Sequence, residues 1–171
     1  MSTYFGNRDV KGWIAEVEAD DPERQDTGIW NLGEMVRHGL PVQSSELYQA
    51  GRVVSRMTYS AAVGIRVRAY GTVGAIGRRI AGDLTKQTAF ERSVTQARLR
   101  RILESCYLIP SSLLPCLPEI VDAVAAGLDY ATEHFDELVD KLTQQMEAMG
   151  TAEDKANIRQ ALAHIRVVRG Y

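Results

Sequence analysis

The chain has 171 residues, 45% of them hydrophobic and 25% charged, with a formal net charge of −2. That length suits one domain with its own core, and the composition is too apolar and too balanced in charge for a disordered chain. No apolar run approaches the roughly 18–20 residues that span a bilayer, and no basic-then-apolar leader opens the chain, so a cytoplasmic protein with no membrane partner is expected.

A first helix is expected after Asn7, a good N-cap residue, with Val10, Trp13, Ile14 and Val17 on one face at i, i+3, i+4 and i+7. Asp20-Asp21-Pro22 is expected to end it, because proline disfavours helix in the residue before it. A second helix is expected from near Thr27 to His38, with Ile29, Trp30, Met35 and Val36 in the core. Gly39 and Pro41 stop it. Both tryptophans, Trp13 and Trp30, are expected to be core anchors.

Ser44-Ser45 then opens a long helix expected over 45–70, with Leu47, Val54, Met57, Ala61 and Ile65 as its buried stripe. On that single helix Arg52, Arg56 and Arg66 lie within about 80° of each other, as an anion-facing stripe, and Arg68 falls on the other side. The run from Tyr70 to Gly77 is rich in glycine. Its spacing fits neither Gly-x-Gly-x-x-Gly nor the P-loop, and no strand pattern precedes it, so no nucleotide site is expected there. A break at Gly71 and a short helix over 73–83 are expected instead, with small residues permitting close helix contact.

Thr88-Ala-Phe-Glu91 and Ser93-Val-Thr-Gln96 both have the form of a capping box, and one of them should start the helix that carries Ala97, Leu99, Ile102, Leu103 and Tyr107. Its exposed side carries Arg98, Arg100 and Arg101, and Pro110 ends it. Further helices are expected from Ser111 or Ser112 to Gly127, from Asp129 to Gly150, and after Thr151 with Ile158, Leu162, Ile165 and Val168 inward. No stretch alternates as a sheet strand does. The expected fold is all-α: a compact bundle of seven or eight helices in a single domain over 1–171, with scope for an N-terminal lobe over 1–70 packed on a C-terminal bundle over 72–171.

Charge is segregated along the chain. Residues 46–104 carry eleven Lys/Arg against four Asp/Glu, net +7. Residues 1–45 carry four against eight, and 105–171 five against ten, net −4 and −5. Lys86 is the only lysine in the basic band. Arginine's planar fork suits phosphate and suits carboxylates on a partner protein equally well. The three histidines, His38, His134 and His164, are scattered, and the two cysteines, Cys106 and Cys116, sit among apolar residues as small core side chains. Without His-Glu-x-x-His, Cys-x-x-Cys or Gly-x-Ser-x-Gly, no metal, other cofactor or catalytic residue is expected.

Ile76-Gly77-Arg78-Arg79-Ile80-Ala81, followed by Arg98-Leu99-Arg100-Arg101-Ile102-Leu103, then by Leu128-Asp129-Tyr130 and a helix with Phe135, Leu138 and Leu142, resembles the small helical subunit of CRISPR effector complexes of the Cascade type. The resemblance covers residues 74–145. Residues 1–45 do not match that family's N-terminal part, and Pro110 to Pro118 reads as an insertion. The resemblance implies a non-catalytic subunit that stacks with copies of itself and with other subunits. It would present Arg78, Arg79, Arg98 and Arg101 to an RNA backbone or a displaced single DNA strand. The helical stripe adds Arg52, Arg56 and Arg66 to those contacts. The competing expectation is a helical interaction module, such as an inhibitor, chaperone or immunity protein, whose arginines meet an acidic partner.

Overall fold

The computed structural model describes residues 3–103, together with single helical positions at 140, 144, 148, 152, 155, 156, 159 and 163. The described residues are mainly helical, with five α-helices preceded by a two-stranded hairpin. The helical positions 140, 144 and 148 fall within the expected Asp129–Gly150 helix, and 152 to 163 within the one expected after Thr151. The expectations for Cys106, Tyr107, Pro110 to Gly127, His134, His164 and the inward stripes of the last helices lie outside the described residues.

The hairpin is a small departure from the all-α expectation. Tyr4–Phe5 (β1) pairs antiparallel with Arg8–Asp9 (β2), in the register Tyr4 opposite Asp9 and Phe5 opposite Arg8. A two-residue turn joins them, and Gly6 supplies the positive φ of 66° that its first position needs. Asn7 therefore belongs to the turn, and the first helix (α1, Val10–Val17) is capped by Asp9, whose carboxylate accepts from the Gly12 amide at 2.9 Å. Val10, Trp13, Ile14 and Val17 are all buried, as their spacing predicts. The Trp13 indole N–H donates to the Phe5 carbonyl at 3.0 Å, which ties the hairpin to α1.

Pro22 begins a helix instead of ending one. It is the first residue of α2 (Pro22–Arg37), with Asp21 as N-cap accepting from the Glu23 amide. Proline is favoured there because its missing N–H is an orphan of the first turn in any case. Ile29 and Met35 are buried as expected, but Trp30 is 46% exposed. Its ring lies on the outer side of α2, with the Arg68 guanidinium 4.7 Å from the ring centroid and ion-paired to Asp26 at 2.8 Å. The end of α2 follows its sequence signal. Gly39 takes φ 68°, its N–H donates to Val36 O, and Leu40 N–H donates to Met35 O. These two bonds form a Schellman cap.

The expected long helix over 45–70 is two helices. The first (α3, Ser44–Arg56) gives way to a 3₁₀ turn at Met57–Tyr59, and the next (α4) runs from Val63 to Gly82. Hydroxyl side chains compete with the helix ladder at the junction. Ser55 Oγ donates to Arg52 O, Thr58 Oγ1 donates to Ser55 O, and Ser60 Oγ accepts from the Ala62 amide. Ala61, expected in the core, is exposed in this bend. The glycine run is no break, because α4 passes through Gly71, Gly74 and Gly77, all of them buried. Each glycine in a helix costs roughly 1 kcal/mol relative to alanine, and tertiary packing readily outweighs that.

That packing comes from α2, α3 and the last described helix (α5, Ala89–Leu103), all of which lie against α4. Val73 and Ile76 are fully buried in α4, and Leu99 and Ile102 in α5. Gly33 lets α2 approach α4. A Cβ there would lie 2.7 Å from Thr72 Oγ1, and the buried Thr72 hydroxyl uses that space to donate to Ile29 O at 3.1 Å. Of the two capping boxes, Thr88–Glu91 starts α5. The Glu91 amide donates to Thr88 Oγ1, and the Thr88 amide donates to Glu91 Oε2 at 2.9 Å. The Ser93 box lies inside the helix, and Ala97 is exposed.

Glu16 is a buried carboxylate, 7% exposed, gripped by two arginines. Arg24 donates to both of its oxygens, at 2.8 and 3.1 Å, and Arg8 pairs with Oε1 at 3.1 Å. The Arg24 hydrogen bonds hold the Glu16 carboxyl below its ordinary pKa, against the opposing effect of burial, with the charges of Arg24 and Arg8 adding to them. A depressed folded-state pKa gives stability that is fully present above the unfolded value and is lost as pH falls toward the folded one. The wild-type chain should therefore lead Glu16→Gln in urea midpoint at neutral pH. That lead should shrink as the pH drops below about 4.5. A lead independent of pH would show that the carboxylate charge contributes nothing.

Candidate nucleic-acid interface

The seven arginines expected to form the site do not share one place. Arg78 and Arg79 lie in the last turns of α4 and line a groove of about 660 Å³ between that helix end and the end of α2. The same groove is lined by Arg37 from α2 and by Lys86 from the 3₁₀ turn at Leu84–Lys86, and Asp83 is its one carboxylate among the described residues. Gly74, without a side chain, and Ala75, with only a methyl group, also line it and fill little of the space. Arg79 is half-buried and donates to Leu40 O at 3.2 Å, the carbonyl just beyond the α2 cap. Arg37 is ion-paired with Glu34 at 3.3 Å, while Arg78 and Lys86 are exposed.

Arg52, Arg98 and Arg101 converge on Tyr48. Arg52 Nη1 donates to the Tyr48 hydroxyl at 3.3 Å, and the Arg98 guanidinium lies 5.1 Å from the ring centroid. The Arg52 hydrogen bond holds the Tyr48 phenol below its ordinary pKa, against partial burial, with help from a hydrogen bond and the charge of Arg101. A shallow depression of about 440 Å³ beside this cluster is lined by Tyr48, Arg98 and Arg101 together with Ser93, Val94 and Ala97.

Arg56 and Arg66 join neither group. The single arginine stripe expected on one helix does not form, because the turn at Met57–Tyr59 puts Arg52 and Arg56 on α3 and Arg66 on α4. Arg56 is exposed in the last turn of α3, where a cation complements the helix dipole. Arg66 is half-buried, and its Nε is buried with no hydrogen-bond partner among the described residues.

Sequence reasoning missed Arg37, Lys86 and Tyr48 as site residues. Arg37 belongs to the net acidic first 45 residues, so counting charge by stretch hid it. Tyr48 precedes Arg52 by one helical turn, a spacing that could have identified the pair. Among the described residues, no group of three metal-ligating side chains occurs, and no helix is long and apolar enough to cross a membrane.

No protein-family model, curated protein or solved structure matches the chain.

Proposed function

We propose that this chain binds the phosphate backbone of a single-stranded nucleic acid through the groove at Arg37, Arg78, Arg79 and Lys86. In this reading it is a non-catalytic, cytoplasmic subunit of a CRISPR-type ribonucleoprotein effector, built as a bundle of seven or eight helices. The observation that carries the reading is the groove itself. Four cations, Arg37 from α2 and Arg78, Arg79 and Lys86 from the end of α4 and the turn after it, line one space, with Asp83 as the only opposing charge among the described residues on its walls. Phosphate diesters suit such a surface, since neutralising them releases condensed counterions. RNA and displaced DNA strands offer the same backbone chemistry, and the motif resemblance over residues 74–145 supplies the ribonucleoprotein context.

The test is binding of the full-length chain to single-stranded RNA and DNA over a salt series. Sequence-independent binding that weakens with salt is expected. The double charge reversal Arg78→Glu/Lys86→Glu should lower affinity about a hundredfold at low salt and flatten the log–log salt slope by roughly 0.7 for each lost phosphate contact. Unchanged binding in that variant would end the proposal. Co-purification of one acidic protein after complete nuclease treatment, with no binding to either nucleic acid, would favour the interaction-module reading instead.

A further inference from the structure

The groove has a continuation on α5. Asp83 lines both the groove and a narrow cleft whose other walls include Gln87, Thr95 and Arg98. That cleft shares Tyr48 and Arg98 with the shallow depression that ends at Arg101. The groove and the depression thus flank one water-sized cleft of about 20 Å³, with Asp83 shared on the groove side and Tyr48 and Arg98 on the other.

The outer side of α5 differs in chemistry from the groove. Phe90 is 78% exposed and Val94 38% exposed, and Ala97 is exposed after them. Their spacing, i, i+4 and i+7, sets them in one row along the helix, and Arg98 and Arg101 extend that side of it. From Phe90 to Arg101 the helix advances about 16 Å, and from Gly74 to Gly82 in the groove about 12 Å. A single phosphate or mononucleotide cannot occupy both regions. A flexible strand can, because it offers negative charge at every nucleotide and an apolar ring face beside each one.

We infer that a single strand of several nucleotides runs from the groove past Asp83 on to α5, with phosphates at Arg98 and Arg101 and a base stacked on Phe90. This rests on the groove reading and extends it. An acidic protein segment could cover an exposed ring as well, but it would not make oligonucleotide affinity depend on length and on the Phe90 ring. Phe90 makes stacking the feature that separates the two ligands.

The experiment compares oligothymidylates of about three and about twelve nucleotides by competition anisotropy with the full-length chain at low salt. The longer oligomer should bind at least tenfold more tightly and show the steeper salt slope. Phe90→Ala and, separately, Arg101→Glu should each reduce the ratio of long to short affinity roughly fivefold or more. Phe90 and Arg101 are exposed, so retained helicity by circular dichroism is expected for both variants. Equal affinities and slopes for the two lengths, or an unchanged ratio in both variants, would overturn the track while leaving the groove reading intact. A wild-type chain that binds neither oligomer would overturn both.

Discussion

Replacing Gly28 by alanine is expected to destabilise the protein by about 2–3 kcal/mol, although alanine is the better helix former. A Cβ on Gly28 would lie 2.8 Å from Val17 Cγ2, 2.9 Å from the Trp13 carbonyl oxygen and 2.9 Å from the Val17 amide nitrogen. Two of those three atoms are backbone, so no rotamer change in α1 can relieve the clash. Helix α1 must move away from α2, and Trp13, Ile14 and Val17 then lose contact with Ile29 and Leu32 in the shared core. The intrinsic gain of roughly 1 kcal/mol from removing a helical glycine offsets only part of that loss. The check is the urea midpoint of Gly28→Ala, alone and combined with Val17→Ala. Removing the Val17 methyls should rescue nothing, because the backbone contacts remain. Wild-type stability in the single variant would show that α1 and α2 separate easily.

The second large effect is expected at Ile102, where the outcome should depend on its neighbour. Ile102 is fully buried in α5, and Ile102→Ala should cost about 3 kcal/mol as a core cavity opens. The space borders Gly51 of α3, where a Cβ would lie 2.6 Å from Ile102 Cδ1 and 3.2 Å from Ile76 Cγ2. Here every close atom is a side-chain carbon, and truncating Ile102 removes the closest of them. Gly51→Ala added to Ile102→Ala should therefore restore about 1 kcal/mol, through added helix propensity and partial filling of the cavity. In the wild-type background Gly51→Ala should be neutral or mildly destabilising, because Ile102 must yield first. A double-mutant cycle reads this directly. Coupling of about 1 kcal/mol is expected, and strict additivity would mean that α3 and α5 do not share this contact.

Gly28 and Gly51 look alike in sequence, since each interrupts a helical pattern without a local reason. The difference between them lies wholly in what stands opposite. The same holds for Trp13 and Trp30. Both are large aromatics in amphipathic helices, yet Trp13 is buried against α1's partners while Trp30 holds Arg68 on the outside. A residue's place on the helical wheel limits which side it faces. It does not say whether another helix covers that side.

Several features depend on residues within a turn of each other, and those were legible. The stripe of α1 repeats at steps of no more than four residues, and the glycine cap after α2 and the Thr88–Glu91 box each join groups at most five residues apart. The competition of Ser55, Thr58 and Ser60 with the helix ladder was equally local and could have signalled the break after Arg56. The glycine run between Tyr70 and Gly77 was different. Local propensity argues for a break, and only the burial of α4 among α2, α3 and α5 makes an unbroken helix the lower-energy state.

The basic band divides in the same way. Composition alone established that cations concentrate between residues 46 and 104, since formal charge is a property of residue type. Which cations meet is a matter of packing. The turn at Met57–Tyr59 separates Arg66 from Arg52 and Arg56, the crossing of α3 and α5 brings Arg98 to the Tyr48 that Arg52 already meets one turn away, and the close of α2 on α4 delivers Arg37 from an acidic stretch to Arg78 and Arg79. Coulomb interaction falls with distance in space, and distance along the chain does not determine it.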